Sequence, residues 1–170
     1  LIACQWAKAL GATVIGTVST ESKADLARQH GCDHVIIHGR EDIVARVRTL
    51  TDGVGVSVVY DGVGKATFMA SLDCLRRRGM LVTFGNASGA VPPFDPLLLT
   101  QKGSLFLTRP KLADYMTQRS ELLALADELF GFMATGKLHI RINQTYALAD
   151  AAQAHRDLEA RRTTGSTVLL

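Results

Sequence analysis

Residues 13–18 read Thr13-Val14-Ile15-Gly16-Thr17-Val18, a β-branched run that is too short for a helix and is typical of a buried strand. A helical pattern follows from about Glu21 to Gln29, and Gly31 ends it. The next apolar run is His34-Val35-Ile36-Ile37, which again suits a strand. This alternation of short apolar strands and helices decides the fold class, and it extends along the chain in both directions.

The same alternation predicts the remaining elements. Helices are predicted over residues 1–10, 42–50, 65–75, 118–135 and 149–160, and strands over 56–60, 80–84, 104–107, 140–146 and 166–170. The long helix has an apolar stripe that should cover one face of the sheet, formed by Leu122, Leu125, Leu129 and Met133. Asp150 is expected to help start the last helix. The pattern indicates an α/β fold: a doubly wound, Rossmann-type parallel sheet with helices on both faces.

Composition is that of one ordinary folded domain. The 170 residues are 47% hydrophobic and 21% charged, which is enough to bury a core. The net charge of +3 comes from Lys and Arg residues spread among 16 acidic ones, so nucleic-acid binding is not indicated. No apolar run approaches the roughly 20 residues that a membrane helix needs. We therefore predict a soluble protein without a membrane span.

Cysteine and histidine spacing argues against a metal centre. The three cysteines, Cys4, Cys32 and Cys74, are an odd number at wide spacing and form no C-x-x-C pair. This predicts a reducing, cytoplasmic setting without structural zinc. The G-x-S-x-G, H-E-x-x-H and P-loop motifs are all absent, so nucleophilic hydrolase and metalloenzyme functions find no support.

The chain opens directly in the helical pattern of residues 1–10, without an initiator Met or an N-cap. In a dinucleotide-binding fold, the first strand and its G-x-G-x-x-G turn stand immediately before such a helix, and this turn is not in the sequence. We expect the first strand and the glycine-rich turn to lie upstream of this chain. The piece alone is then expected to be destabilised or inactive.

The end of the strand over 13–18 carries the signal for the cofactor. An acidic residue normally stands there when the ribose of NAD is bound, whereas this strand ends in Ser19-Thr20. Hydroxyl donors, with Lys23 one helical turn further on, suit a 2′-phosphate and favour NADP. Near the end of the last helix, Arg161 and Arg162 could bind phosphate or simply complement the helix dipole. The structural alternative is that Ser19 caps its helix and Lys23 is solvated.

Other polar or glycine-rich segments follow the later strands. His38 could reach the same phosphate or leave its strand into solvent. The glycines of Asp61-Gly62-Val63-Gly64 and of Gly85-Asn86-Ala87-Ser88-Gly89 allow close approach of a ligand or form tight turns. Arg109, at the end of the strand over 104–107, could face a ligand crevice or pair with a surface carboxylate.

Several longer segments carry a family resemblance, namely residues 1–12, 60–64, 71–79, 84–89, 101–110 and 158–161. Over essentially its whole length, the chain resembles bacterial quinone oxidoreductases related to zeta-crystallin, which are zinc-independent medium-chain dehydrogenases/reductases. In that family a GroES-like catalytic domain precedes the nucleotide-binding domain, and the chain then returns to the first domain. The resemblance implies an incomplete NADP-binding Rossmann-type domain over 1–138 and a returning segment over 139–170.

The resemblance also implies an activity and its contacts. It implies hydride transfer from NADPH to a quinone, and neither a catalytic side chain nor a metal ligand is assigned in this chain. The 2′-phosphate would be held near Ser19, Lys23, His38 and Arg161, where His38 replaces the Tyr that family members often have. The nicotinamide side would be lined by Gly85, Asn86, Ala87, Ser88, Leu107, Thr108 and Arg109.

The family dimer, by resemblance, joins its sheets through the strand over 104–107, so a homodimer is expected. Two other functions remain open. The first is an NADPH-dependent enoyl or alkenal reductase of the same superfamily, which substrate assays would separate from quinone reduction. The second is a non-catalytic NADPH-binding protein, structural or RNA-binding, which tight NADPH binding without turnover would indicate.

Overall fold

The computed structural model describes all 170 residues and consists of parallel strands flanked by helices. The helices are α1 (Ile2–Ala9), α2 (Glu21–Gln29), α3 (Ile43–Leu50), α4 (Phe68–Cys74), α5 (Leu97–Gln101), α6 (Arg119–Ala134) and α7 (Ala151–Glu159). The strands are β1 (Ile15–Val18), β2 (His34–Ile37), β3 (Val56–Asp61), β4 (Leu75–Thr83), β5 (Phe106–Thr108), β6 (Ile142–Tyr146) and β7 (Ser166–Leu169). The predicted α/β class with parallel strands is confirmed. None of the helices is long and apolar enough to cross a membrane.

The chain divides into two compact units, residues 1–37 with 125–170 and residues 38–124. The first unit holds two parallel strand pairs, β1–β2 and β6–β7. The second unit holds the parallel sheet β3–β4–β5. This division follows the internal contacts of the chain, and the functional boundary at residue 138 stays a prediction.

In the first unit, α2 lies on the β1–β2 pair. Its small residues Ala24 and Ala27 are buried, as are Ile36 and Ile37 of β2. The prediction of a buried strand over 13–18 is only partly right, because β1 is half-buried and its Thr17 is exposed. The physical reason is that the sheet of this unit has only β2 beside β1.

The apolar stripe of α6 differs from its prediction. Leu122 and Leu125 are exposed, and no residue of α6 is fully buried. The helix packs instead through Phe132, whose ring lies 5.6 Å from the ring of Trp6 in α1. The expectation that the whole stripe covers a sheet face is therefore wrong for Leu122 and Leu125.

The core of the second unit lies between α4 and the inner face of β3–β4–β5. It contains Phe68, Leu72, Leu75, Leu81 and Leu105. Phe68 and Leu72 lie on one face of α4, Leu75 and Leu81 lie in β4, and Leu105 directly precedes β5, as a sheet covered by a helix requires. The carboxyl ends of the three parallel strands leave this core at the same edge of the sheet.

Several elements differ from the sequence prediction. The strand predicted over 104–107 is β5, Phe106–Thr108, and Ser104 before it has a left-handed φ of 56°. β4 begins at Leu75 instead of residue 80, because the chain turns directly from α4 into the strand. The short helix α5 was not predicted; Asp95 Oδ1 accepts a 2.8 Å hydrogen bond from Leu97 N at its start. Asp150 does not cap α7 through its side chain, since a 3-10 turn over Leu148–Asp150 leads into that helix.

Candidate cofactor-binding site

The first compact unit contains an open cavity of about 570 Å³ at the carboxyl end of β1. Its walls come from three places along the chain: the β1–α2 turn, the start of β6, and the segment between α7 and β7. The lining residues are Ser19, Thr20, Ser22, Lys23, Leu26, Arg141, Asn143, Arg161, Arg162 and Thr164. The structure thus brings together Ser19, Lys23 and Arg161, three of the four residues that the resemblance implies near the 2′-phosphate, whereas His38 does not line this cavity. We call this cavity the basic pocket.

The β1–α2 turn presents hydroxyl groups to the basic pocket. Thr20 is the N-cap of α2, and its Oγ1 accepts a 3.3 Å hydrogen bond from Lys23 N. Thr20 Oγ1 also lies 3.1 Å from Ser22 Oγ. Because Thr20 serves as the cap, Ser19 is not needed for that role. This removes the structural alternative for Ser19, although not for Lys23.

The basic pocket is lined by cations and by no carboxylate. Lys23, Arg141, Arg161 and Arg162 contribute the positive charge. Arg162 Nη1 is paired with Asp157 at 3.2 Å. Hydrogen bonds from Gln153 and Tyr146 lower the pKa of Asp157, and the nearby Arg162 lowers it further. With one arginine neutralised in this way, the remaining three cations give the pocket a positive potential that suits an anionic ligand.

Arg161 is held in the left-handed backbone conformation, with a φ of 58°. It follows the end of α7, where its N–H donates to Leu158 O at 3.0 Å and the N–H of Arg162 donates to Asp157 O at 2.9 Å. Glycine is the usual residue at such a helix end, because a side chain there is strained. A strained non-glycine residue is often retained for function, and this one lines the basic pocket.

Asn143 adds an unusual polar group to the wall of the basic pocket. Its Nδ2 donates to Thr164 Oγ1 at 3.3 Å, whereas its Oδ1 is buried and has no hydrogen-bond partner. Gly165 leaves room for this amide, since a Cβ on that glycine would lie 2.2 Å from Asn143 Oδ1. A buried acceptor without a donor is costly, by roughly 1–3 kcal/mol.

The second unit brings together two glycine-containing turns, Asp61–Gly64 at the end of β3 and Gly85–Gly89 after β4. A Cβ on Gly85 would lie 2.1 Å from Gly62 O, and a Cβ on Gly64 would lie 2.6 Å from Gly89 O. Backbone therefore packs directly on backbone. The sequence allows two roles for these glycines, close approach of a ligand or formation of tight turns. The packing of backbone on backbone supports the second role.

Ser88 fastens these two turns to each other. Its Oγ donates to Val63 O at 2.8 Å and accepts from Ala66 N at 2.9 Å. Its N–H donates to Val63 O at 2.8 Å. The hydroxyl of Ser88 is therefore engaged within the protein, while Asn86 and Ala87 at the tip of the same turn are exposed.

Arg109 follows β5 and reaches across to the turn after β4. Its Nη1 donates to Thr83 Oγ1 at 3.2 Å, to Gly85 O at 3.2 Å and to Asn86 Oδ1 at 3.3 Å. The side chain makes no ion pair with a surface carboxylate, which was its structural alternative. Leu107 and Thr108 lie half-buried in β5 just before it. Of this second group of predicted residues, the structure thus joins Arg109 to Gly85 and Asn86.

His38 lies in the second unit, where it is exposed and forms an isolated parallel bridge with Glu41. The sequence interpretation also missed the role of Asp61. This buried carboxylate accepts from Val63 N at 2.8 Å, Gly64 N at 3.1 Å and Ser71 Oγ at 2.7 Å, and Thr67 Oγ1 donates to it as well. An Asp directly before a glycine turn is the signal that could have revealed it.

Arg141, Asn143 and Thr164 were also missed. The prediction looked for polar residues directly after a strand, and these three residues do not stand in such a place. They come from the region of β6 and β7, near the end of the sequence, and reach the basic pocket through the tertiary fold. No local pattern distinguishes Arg141 from an ordinary surface arginine. Only the tertiary arrangement of this unit places it beside Ser19.

Comparisons with known proteins place the chain in a family. A family model described as zinc-binding dehydrogenase matches residues 1–124, and the chain belongs to this family. It is 57% identical over 170 residues to a quinone oxidoreductase of Pseudomonas aeruginosa, a match that covers 100% of this chain and 52% of that protein. The predicted resemblance to quinone oxidoreductases is thereby confirmed.

Two further relatives bear on the ligands. The crystal structure of Escherichia coli quinone oxidoreductase complexed with NADPH matches with a TM-score of 0.95 at 50% identity, covering 99% of this chain and 52% of that one. A 2-haloacrylate reductase of a Burkholderia species is 49% identical over 166 residues, covering 97% of this chain and 50% of that protein. The chain spans about half the length of the relatives it matches.

Proposed function

We propose that the natural protein containing this chain transfers a hydride from NADPH to a quinone, and that this chain supplies most of the NADPH-binding part. The observation that carries the proposal is the basic pocket, where Ser19, Lys23 and Arg161 meet at the carboxyl end of β1 without a carboxylate. A carboxylate at this position would accept from the ribose hydroxyls of NAD and repel a 2′-phosphate. The similarity to quinone oxidoreductases, one of them with NADPH bound, supports the same assignment.

The residues of the basic pocket fit a phosphate. The ammonium of Lys23 and the guanidinium of Arg161 provide charge, and the guanidinium can bind two oxygens at once. The Ser19 hydroxyl is a neutral donor. We extend the assignment to Arg141, which lines the same pocket. His38 remains proposed for the adenine side from the resemblance alone.

For the second unit, we propose that the turn over Gly85–Ser88 and the segment over Leu107–Arg109 line the nicotinamide side. The exposed tip at Asn86 and Ala87 offers backbone groups, while Arg109 holds the turn in one conformation through its three hydrogen bonds. When bound, NADPH supplies the hydride. The role of this chain is then to position the nicotinamide ring and to exclude water, and none of its side chains acts as a covalent nucleophile.

We also propose a homodimer that joins through β5. This strand is the edge of the β3–β4–β5 sheet, and Phe106 on it is 53% exposed. An exposed edge strand with an apolar residue is a template for pairing with a second copy. Sedimentation of the natural protein tests the dimer: we expect Phe106→Glu to yield monomers, and a monomeric parent protein would contradict the proposal. A cytoplasmic location is proposed from the three free cysteines.

The test of function is oxidation of NADPH and of NADH by the natural gene product with 1,4-benzoquinone as acceptor. Quinone-dependent oxidation with a preference for NADPH is expected. Each quinone that is reduced to a hydroquinone takes up one hydride from NADPH and one proton. Turnover that favours NADH would overturn the phosphate assignment. Failure with quinones, combined with reduction of 2-haloacrylate or a conjugated enone, would support the alternative function instead.

A further inference from the structure

One face of α1 rests against the turn between α2 and β2. Gly31 in this turn has a φ of +86°, and a Cβ on it would lie 3.5 Å from Cys4 O and 3.2 Å from Lys8 Cβ. Two residues further on, Asp33 forms an ion pair with Lys8. Cys4 and Lys8 are four residues apart and share one face of the helix. The turn is thus held against the face of α1 that carries Cys4.

Cys32 stands between the two contacts, flanked by Gly31 and Asp33. Its side chain is 4% exposed, and its Sγ lies 3.0 Å from His34 O and 3.6 Å from Val14 O. The same Sγ would lie 2.8 Å from a Cβ on Gly16, so only glycine is compatible with the sulfur at this point of β1. The Cys32 sulfur therefore packs against β1.

The two thiols are neighbours. Burial raises the pKa of the Cys32 thiol, and the adjacent Cys4 thiol raises it further through charge and hydrogen bonding. Cys4 is only half-buried, whereas Cys32 is buried. The pair therefore combines one thiol that a small oxidant can reach with one that is shielded.

We infer that Cys4 and Cys32 form a reversible disulfide on exposure to a peroxide, which makes this pair an oxidation site outside the basic pocket. The inference rests on the contacts of Gly31 and Asp33, the chain neighbours of Cys32, with the Cys4–Lys8 face of α1. It does not depend on the proposed function. Cys74, the third cysteine, is buried within the second unit and provides a comparison.

The chemistry balances with hydrogen peroxide as the oxidant. The Cys4 thiolate attacks one peroxide oxygen, the O–O bond breaks, and the departing hydroxide takes up a proton to become water. Cys4 is then a sulfenic acid. The Cys32 sulfur attacks the Cys4 sulfur, the S–O bond breaks, and a second water leaves with the proton of Cys32. Two thiols are oxidised to one disulfide while one peroxide is reduced to two waters.

Cys74 should stay reduced under the same treatment. Burial raises the pKa of Cys74 to about 11, so little thiolate forms near neutral pH. The groups whose charges shift this pKa are Arg48, Asp73 and Asp42, and no second thiol is among them. It therefore has neither the reactivity nor a resolving partner.

The experiment is peptide mapping of the natural protein after brief treatment with hydrogen peroxide. Remaining thiols are alkylated in denaturant, and the protein is digested with trypsin without reductant. We expect the peptide ending at Lys8 to be joined to the peptide over 29–40, with a loss of about 2 Da relative to the two reduced peptides. The peptide over 66–76, which contains Cys74, should be alkylated in treated and untreated samples alike. Dithiothreitol should restore both partners of the pair.

Two variants sharpen the test. Cys4→Ser and Cys32→Ser should each abolish the crosslink, and oxidation of Cys32→Ser should leave Cys4 as a sulfenic or sulfinic acid. The parent protein should also melt several degrees higher after oxidation and return to its original midpoint with reductant. Free peptides after treatment, or Cys4 joined to Cys4 of another copy, would overturn the inference.

Discussion

Lys23 Nζ donates a 3.3 Å hydrogen bond to the main-chain oxygen of Arg161. The lysine belongs to the first turn of α2, and the arginine follows the end of α7, 138 positions later in the chain. This bond brings two cationic side chains to one wall of the basic pocket and anchors the strained backbone of Arg161. The charge of the pocket is thus a product of tertiary structure, since neither helix carries it alone.

Replacing Lys23 should weaken the binding of NADPH far more than that of NADH. Lys23→Gln removes one positive charge facing the proposed 2′-phosphate and also loosens Arg161. We expect the dissociation constant for NADPH to rise by roughly ten- to a hundredfold, in line with about 1.5–3 kcal/mol for a hydrogen bond to a charged group. Calorimetric titration of the natural protein with both nucleotides is the measurement.

A control lysine is available in the same unit. Lys137 lies over the ring of Phe132, 5.8 Å from its centroid, and does not line the basic pocket. Lys137→Gln should leave the NADPH affinity unchanged. An equal loss of NADPH and NADH affinity in Lys23→Gln would instead mean that Lys23 supports the fold of the site and does not select the phosphate.

Arg161→Gly should separate stability from binding. Because the φ of Arg161 is 58°, glycine relieves strain there and should raise the free energy of unfolding by about 0.5–1 kcal/mol. The same change removes a guanidinium from the basic pocket, so NADPH affinity should fall. Arg78→Gly is the matched control, since Arg78 also has a φ of 58° but lies in the second unit. It should stabilise without changing NADPH binding, and weakened binding in that variant would contradict the argument.

Local signals explain which parts of the fold were predictable. The structure has α2 over Glu21–Gln29, with the bounds that its sequence predicts, because Thr20 caps one end and Gly31 follows the other. β4 was predicted too short, because the chain enters it directly from α4 at Leu75. There the guanidinium of Arg48 donates to Asp73 O and Leu75 O. That contact joins residues 27 positions apart, which no local pattern records.

The basic pocket shows the same limit. Ser19 and Lys23 could be predicted because they follow a strand of recognisable type, at the edge where parallel strands bind ligands. Arg141 and Asn143 could not, because their presence depends on how β6 packs in the first unit. In the second unit, Gly85 was predicted as a ligand contact. A Cβ at this position would lie 2.1 Å from Gly62 O, so the glycine is also needed for the packing of the two turns.

Asp61 should make the free energy of unfolding depend on pH in the acidic range. Burial alone would raise its pKa, but hydrogen bonds from Ser71, Gly64, Thr67 and Val63 outweigh burial and lower the pKa below its usual 3.8. The folded state therefore binds fewer protons than the unfolded state. Its contribution to stability is fully present above the unfolded value and is lost as pH falls through the folded pKa.

Asp61→Asn is the corresponding test. The amide nitrogen cannot accept from the surrounding donors, so the free energy of unfolding near neutral pH should fall by about 1–3 kcal/mol. The variant should also lose less stability than the parent as the pH falls below 3.8, the usual pKa of the carboxyl group, because the titrating group is gone. Urea unfolding at several pH values measures both effects. Parallel pH profiles for the two proteins would show that Asp61 does not titrate with folding.

Gly85→Ala should destabilise the second unit more than any ordinary surface substitution. The added methyl group would meet Gly62 O at 2.1 Å and Gly62 C at 2.7 Å, and both are backbone atoms that cannot rotate away. We expect a loss of about 3 kcal/mol or more, because the two turns must separate. Separation would also move Gly85 O and Asn86 Oδ1 away from Arg109, so the proposed nicotinamide side should lose its shape.

Gly131→Ala in α6 is the matched control: a Cβ there meets nothing within 4 Å, and alanine should add about 0.5–1 kcal/mol of helix stability. Urea unfolding of the two variants should move in opposite directions from the parent protein, and a neutral Gly85→Ala would mean that the turns do not pack as closely as described.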